Sequence, residues 1–143
     1  MFFLQLLIGA VLICLTVIIH AVFLDALIRW VWRVSNTARL MFKRHWKVPL
    51  LAASVLGVFC AHIIQIWIWA AFYLYVEALP NLESALYFST STFTTVGFGD
   101  VVLTEQWRLV SSFQSANGFI LFGWSTAFIF ELMSRLYEHD SGD

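Results

Sequence analysis

The residues with the clearest chemical use lie together past the middle of the chain, in Thr94-Thr95-Val96-Gly97-Phe98-Gly99-Asp100. A dehydrated cation needs oxygen ligands on all sides, and main-chain carbonyls can supply them without formal charge. For successive carbonyls to face one axis, the backbone must visit conformations that side chains penalise, and Gly97 and Gly99 permit these. Val96 and Phe98 would then pack the stretch from behind, with the Thr95 hydroxyl at its inner end. An ordinary turn is the alternative, since glycines beside Asp mark turns, but the position of the stretch after a short re-entrant helix and between two spanning helices outweighs it. No nucleophile, metal cluster or phosphate loop points to an enzyme.

The elements around this stretch belong in a membrane. Of 143 residues, 61% are hydrophobic and 12% charged, with a mean hydropathy of +0.82. A soluble domain of this size cannot hide so much apolar surface, and a bilayer can accept it. Three runs are long enough to span, at residues 2–24 (its helix continuing toward Arg33), 48–76 and 109–130. None alternates with a period of two, so the expected class is an all-α membrane protein rather than a barrel. Pro49 suits the first turn of the second helix.

Between the second and third spans, Pro80-Asn81-Leu82-Glu83 reads as a helix start, with Asn81 as N-cap and Glu83 in the first turn. The helix that follows has room for about a dozen residues, too few to cross, so it is expected to be re-entrant. Six of the eight Lys and Arg residues (Arg29, Arg33, Arg39, Lys43, Arg44 and Lys47) form a cluster that lacks Asp and Glu. The positive-inside rule puts this cluster and the C-terminus in the cytoplasm, and the N-terminus and residues 77–108 outside. Trp30, Trp32 and Trp46 are then expected at the inner boundary, and Tyr73, Tyr75 and Trp107 at the outer one.

Residues 48–135 resemble the outer-helix, pore-helix, filter and inner-helix unit of the potassium channel superfamily, in its small bacterial-like two-helix form, preceded here by an extra transmembrane helix. Thr95-Val96-Gly97-Phe98-Gly99 is similar to that family's T-V-G-Y-G filter. The resemblance implies that the carbonyls of Thr95, Val96, Gly97 and Phe98 and the Thr95 hydroxyl bind K+. Thr94, Gly99, Asp100, Ser91, Tyr87 and Phe88 would support the filter. Phe98 replaces the commoner Tyr, Tyr87 and Phe88 replace a pair of tryptophans, and Ser91 stands where some members carry a Glu bonded to the post-filter Asp. A filter less firmly braced than the tyrosine type is therefore expected.

The implied organisation is an N-terminal transmembrane helix at 1–34, a basic cytoplasmic linker at 35–47, a pore domain at 48–137 and a tail at 138–143. Within the pore domain fall an outer helix at 48–77, a pore helix at 82–94, the filter at 95–100 and an inner helix at 106–136. Phe119, Phe122, Thr126, Phe130 and Met133 share one helical face, which by resemblance lines the cavity, with Phe130 or Met133 as a hydrophobic gate. Gly118 and Gly123 are hinge candidates, or close-packing glycines. One filter strand cannot surround an ion and four related by rotation can, so the expected partners are three further copies, forming a homotetramer. Anionic lipid is a further expected partner at residues 29–47; nucleic acid is not, and no cofactor is expected beyond K+ as the permeant ion. The expected location is the plasma membrane, or the inner membrane of a bacterium.

Other residues have more modest expectations. Cys14 and Cys60 read as small apolar fillers, and no cleavable leader is evident, so the first span is expected to stay. Gln114, Ser115 and Asn117 should face protein or water, while His62 and Gln65 should bond a neighbouring helix. Glu77, Glu83, Asp100 and Glu105 against Arg108 would make an acidic mouth. The arginines lack the spacing of a voltage-sensing helix, and His45 and His139 are weak candidates for cytoplasmic pH sensing. A weakly selective cation channel and a non-conducting membrane subunit are the rival readings.

Overall fold

A computed structural model describes residues 2–42 and 45–138. Four helices follow in order: α1 (Phe2–Phe42), α2 (Lys47–Tyr75), α3 (Leu82–Phe93) and α4 (Arg108–Glu138). Three of them, α1, α2 and α4, are long and apolar enough to cross a membrane. The described residues contain no strand. Lys43, Arg44 and His139, named above for topology and pH sensing, lie outside the described residues.

α1 is the main departure from expectation. Its 41 residues make a rod of about 60 Å, roughly twice the hydrocarbon thickness. Residues 35–42, expected to open a linker, continue the helix. They contain no glycine or proline, and Ser35 and Ala38 are buried. Ala38 joins Val31, Trp46, Leu50, Leu132 and Leu136 in one apolar cluster. That contact gives the extension a reason to stay helical, since most helical stability comes from packing.

A buried stripe at Gly9, Thr16, His20, Leu24, Leu27 and Val31 recurs every third, fourth or seventh position along α1 and packs it against α2 and α4. The seam is partly polar. Gln5 Nε2 donates to the Gln106 carbonyl, and Asn117 Nδ2 donates to Thr16 Oγ1 at 2.7 Å. Interhelical hydrogen bonds and small residues are the usual adhesives where water cannot drive association.

α2 ends where Val76, Glu77 and Ala78 return their N–H groups to the carbonyls of Phe72, Leu74 and Tyr73. Glu77 takes the left-handed conformation (φ 53°) in a position that glycine usually fills. The chain then turns into α3, whose start follows the expected chemistry. Asn81 Oδ1 accepts from the Ser84 N–H at 2.9 Å, and Glu83 sits in the first turn. α3 packs on both α2 and α4.

The core lies around the C-terminal half of α2. Trp69, Tyr73, Phe88, Phe93, Trp107 and Leu121 are among its members. Tyr73 and Trp107 are therefore core residues rather than lipid-facing anchors, and only Tyr75 of that trio is fully outward. At the other end Trp46 is buried too, with the Arg39 guanidinium 4.3 Å over its ring. Trp30 and Trp32 are exposed. Cys14 and Cys60 stand on outward surfaces, apolar but not core.

Candidate functional site

The segment after α3 is shaped by its backbone. Thr95, Gly97 and Gly99 all have positive φ, at 62°, 55° and 81°, so left-handed residues alternate with Val96 and Phe98. Alternation of this kind turns successive N–H groups to one side, as in anion-binding nests. The glycines carry no penalty for it. Thr95 does, because a β-branched residue at positive φ is an outlier that its surroundings must hold in place.

Ser91 supplies much of that hold. Its carbonyl accepts the Gly97 N–H at 3.2 Å and its hydroxyl accepts the Phe98 N–H at 3.3 Å. No peptide bond among the described residues is cis, and a trans peptide sets its C=O opposite its N–H. The carbonyls of Val96 and Gly97 therefore point away from α3. Residues 95–100 are exposed on the protomer, and a Cβ added to either glycine would meet no atom within 4 Å. A row of carbonyl oxygens thus faces open space, held by N–H groups anchored behind it.

A second brace lies at Asp100. The Tyr87 hydroxyl donates to Asp100 Oδ2 at 2.7 Å, and the Tyr87 ring stacks on Phe98 at 6.2 Å and 15°. The Tyr87 hydrogen bond holds the Asp100 carboxyl below its ordinary range, and the same bond raises the Tyr87 phenol. Of the residues expected to give support, Tyr87 takes up the Asp100 carboxylate and Ser91 takes the backbone. The other support candidates act elsewhere. Thr94 Oγ1 turns back to the Thr90 carbonyl at 2.8 Å, and Phe88 is buried edge-on against Tyr73.

Behind α3, a chain of donors runs inward. The Tyr73 hydroxyl donates to Gln114 Oε1 at 2.8 Å, and Gln114 Nε2 donates to Ser89 Oγ at 2.7 Å. The Ser89 hydroxyl donates to the Ile66 carbonyl at 2.7 Å. Ser115 Oγ adds a bond to the Thr92 carbonyl at 3.1 Å. These bonds lock α3 between α2 and α4, which fixes where the carbonyl row begins. Ser89 and Tyr73 were not foreseen in this role; an unpaired polar residue within each apolar stretch was the available signal.

The expected cavity face of α4 divides. Phe119, Thr126, Phe130 and Met133 are exposed on the protomer. Phe122 is half-buried, with its ring 4.6 Å from His62 and 5.5 Å from Phe93. It stands at the edge of the stripe nearest the buried Gly118, Leu121 and Ser125, so it packs inward. Asn117 faces α1 through Thr16, not the open side.

Gly118 and Gly123 also part company. A Cβ on residue 118 would collide with the Phe93 carbonyl, while one on residue 123 would meet nothing within 4 Å. Gly118 is thus a close-approach residue where α4 meets the end of α3. Of the mouth charges, Glu105 lies 3.5 Å from Arg108 with both side chains exposed. Arg29 is paired with Asp25 at 2.5 Å.

A family model described as an ion channel matches residues 58–135, more than half of the chain. The match takes in most of α2, all of α3, the carbonyl row and nearly all of α4, and omits α1. No curated protein and no solved structure matches the chain.

Proposed function

Because the chain belongs to the ion channel family, we propose that it is one subunit of a potassium-selective channel, four copies of which enclose one pore. K+ crosses passively, coordinated by the carbonyls of Thr95, Val96, Gly97 and Phe98 and by the Thr95 hydroxyl. The observation that carries this reading is the anchoring of the Gly97 and Phe98 N–H groups on Ser91, which leaves the opposite edge of the peptide ladder for a cation. Four such edges around an axis supply oxygen on every side, where one edge supplies it on one side only.

The remaining parts fit that arrangement. Val96 and Phe98 are 55% and 69% exposed on the isolated protomer, apolar surface that neighbouring copies cover. Phe119, Thr126, Phe130 and Met133 face the ion path below the filter, and a ring of Phe130 or Met133 closes it by dewetting. By the positive-inside rule the basic residues favour α1's C-terminal end and the α4 C-terminus in the cytoplasm, with α3 and the filter outside. They also offer a contact to anionic lipid.

Reconstitution of the purified chain in liposomes tests the proposal. The expected result is K+ flux with a bi-ionic reversal potential strongly favouring K+ over Na+, carried by a tetramer. A reversal potential near zero identifies a weakly selective cation channel instead. Absence of flux from a correctly inserted tetramer identifies a non-conducting membrane subunit.

A further inference from the structure

His20 of α1, His62 and Gln65 of α2 and Ser125 of α4 meet inside the helix bundle, all buried. Gln65 Nε2 lies 2.9 Å from His20 Nδ1, and Gln65 Oε1 lies 3.1 Å from His62 Nδ1. Ser125 Oγ lies 3.2 Å from His20 Nε2 and 3.0 Å from His62 Nε2. The imidazoles stack at 5.3 Å and 25°. Four side chains from three helices thus close a ring of four hydrogen bonds.

Proton counting around the ring has few solutions. An amide oxygen only accepts and an amide nitrogen only donates, so His62 Nδ1 carries hydrogen and His20 Nδ1 is bare. Neutral His20 therefore donates from Nε2 to Ser125 Oγ. Neutral His62 has a bare Nε2, which accepts the Ser125 hydroxyl proton. Each of the four contacts then has one donor and one acceptor. Turning the Gln65 amide over reverses the direction and exchanges the two tautomers, so the histidines remain opposite in either case.

The ring has an outlet for one more proton. If His62 Nε2 is protonated, Ser125 Oγ must accept from both imidazoles, and its own hydrogen needs another acceptor. The Leu121 carbonyl is in place at 2.8 Å. A further proton has only His20 Nδ1 to occupy, where it would face the Gln65 N–H. The neighbours offer no counter-charge: His20 meets Trp124, His62 meets Phe93 and Phe122, and Gln65 and Ser125 are uncharged. Only the two imidazoles themselves titrate among these contacts. The nearby C-terminal end of α3 favours a single cation. Access is from an open cavity of about 370 Å³ between α2 and α4 that has His62 and Ser125 in its wall.

We propose that the His20–Gln65–His62–Ser125 ring is a binding site for one proton per protomer, through which acid sets the position of α4. In the neutral ring Ser125 accepts from one imidazole and donates to the other. In the charged ring it accepts from both, and the bond from the protonated imidazole is charge-assisted and stronger than a neutral one, so acid favours the arrangement of α4 described above. α1, which the family match omits, thereby gains a regulatory role. The effect on conduction rests on the channel reading; the protonation chemistry does not.

Solid-state ¹⁵N spectra of the histidine-labelled chain in lipid bilayers test that chemistry directly, with His20→Gln and His62→Gln to assign the signals. The expected result at neutral pH is that His20 and His62 are both neutral and of opposite tautomer, and that this pair gains one proton per protomer on acidification. Like tautomers, or uptake of two protons at the pair, would overturn the proposal. Liposome K+ flux supplies the functional half: the wild-type response to pH is expected to be lost in H20Q and in H62Q. A response unchanged in both variants refutes control of α4 by the ring. If no form conducts, the channel reading fails and the spectra still decide the proton site.

Discussion

The carbonyl oxygen of Phe93, the last residue of α3, occupies the space in which a side chain on residue 118 of α4 would begin. Only glycine lets the two helices approach this closely. Gly118→Ala should therefore destabilise the protein by about 1–3 kcal/mol through overpacking. Gly123→Ala adds a methyl where nothing lies within 4 Å and should change stability by less than about 0.5 kcal/mol in the protomer. Thermal unfolding in detergent compares the two. Equal melting shifts would contradict the assigned packing role, and altered gating in G118A at unchanged stability would restore the hinge.

Ser91 meets the carbonyl row through two different atoms, so its substitution separates them. In Ser91→Ala the carbonyl still accepts from Gly97, but the Phe98 N–H loses its partner. Loss of one such bond costs about 0.5–1.5 kcal/mol, which should reduce the K+ over Na+ permeability ratio about twofold to tenfold. Bi-ionic reversal potentials read this out. An unaltered ratio would mean that the anchoring does not set selectivity.

Tyr87→Phe removes the donor to Asp100 while keeping the ring that stacks on Phe98. Current during a sustained opening should decay faster than in the wild type. Phe98→Tyr adds a hydroxyl beside a ring already stacked, so its effect on the decay should be the smaller of the two. Macroscopic current records in both variants check the order, and the reverse order would remove Tyr87 as the main brace.

External pH should leave this brace intact over a wide range. The bond lowers the Asp100 pKa, so its contribution is present above the ordinary carboxylate value and is lost only as pH falls through the lowered one. The Tyr87 pKa is raised above its ordinary 10.0, so the donor hydrogen also survives alkali to that point. Decay kinetics should be flat from about pH 5 to pH 9 on the outer side. A step within that window, retained when the His20–His62 ring is disabled, would show that the mouth itself titrates.

Tyr73→Phe leaves Gln114 Oε1 buried without its donor. A loss of about 1–3 kcal/mol is expected. Gln114→Leu also gives up the donor to Ser89, so Tyr73→Phe with Gln114→Leu should cost less than the sum of the two single losses. Equilibrium unfolding of the single and double variants measures the coupling. Strict additivity would argue against the bond.

Much of this protein was legible in its residues. Length and hydropathy dictated three spanning helices, Asn81 and Glu83 marked the start of α3, and Gly97 and Gly99 marked backbone that side chains would forbid. Each of these is a local property: a run of apolar residues, a cap, a conformational permission. Contacts between distant segments were not legible. Helical periodicity put Phe122 on the open face, yet its ring fills the gap between His62 and Phe93. Nothing in the spacing of His20, His62 and Ser125 indicates that they meet, since their approach depends on how α1 crosses α2 and α4.

The sequence alone determined what each segment could be, because hydrophobicity, capping and glycine act within a few residues of the chain. The tertiary structure decided what each polar side chain does. A buried donor must find its partner wherever packing brings one, and those partners came from other helices: Ser89 for Gln114, Thr16 for Asn117 and Ser125 for both histidines.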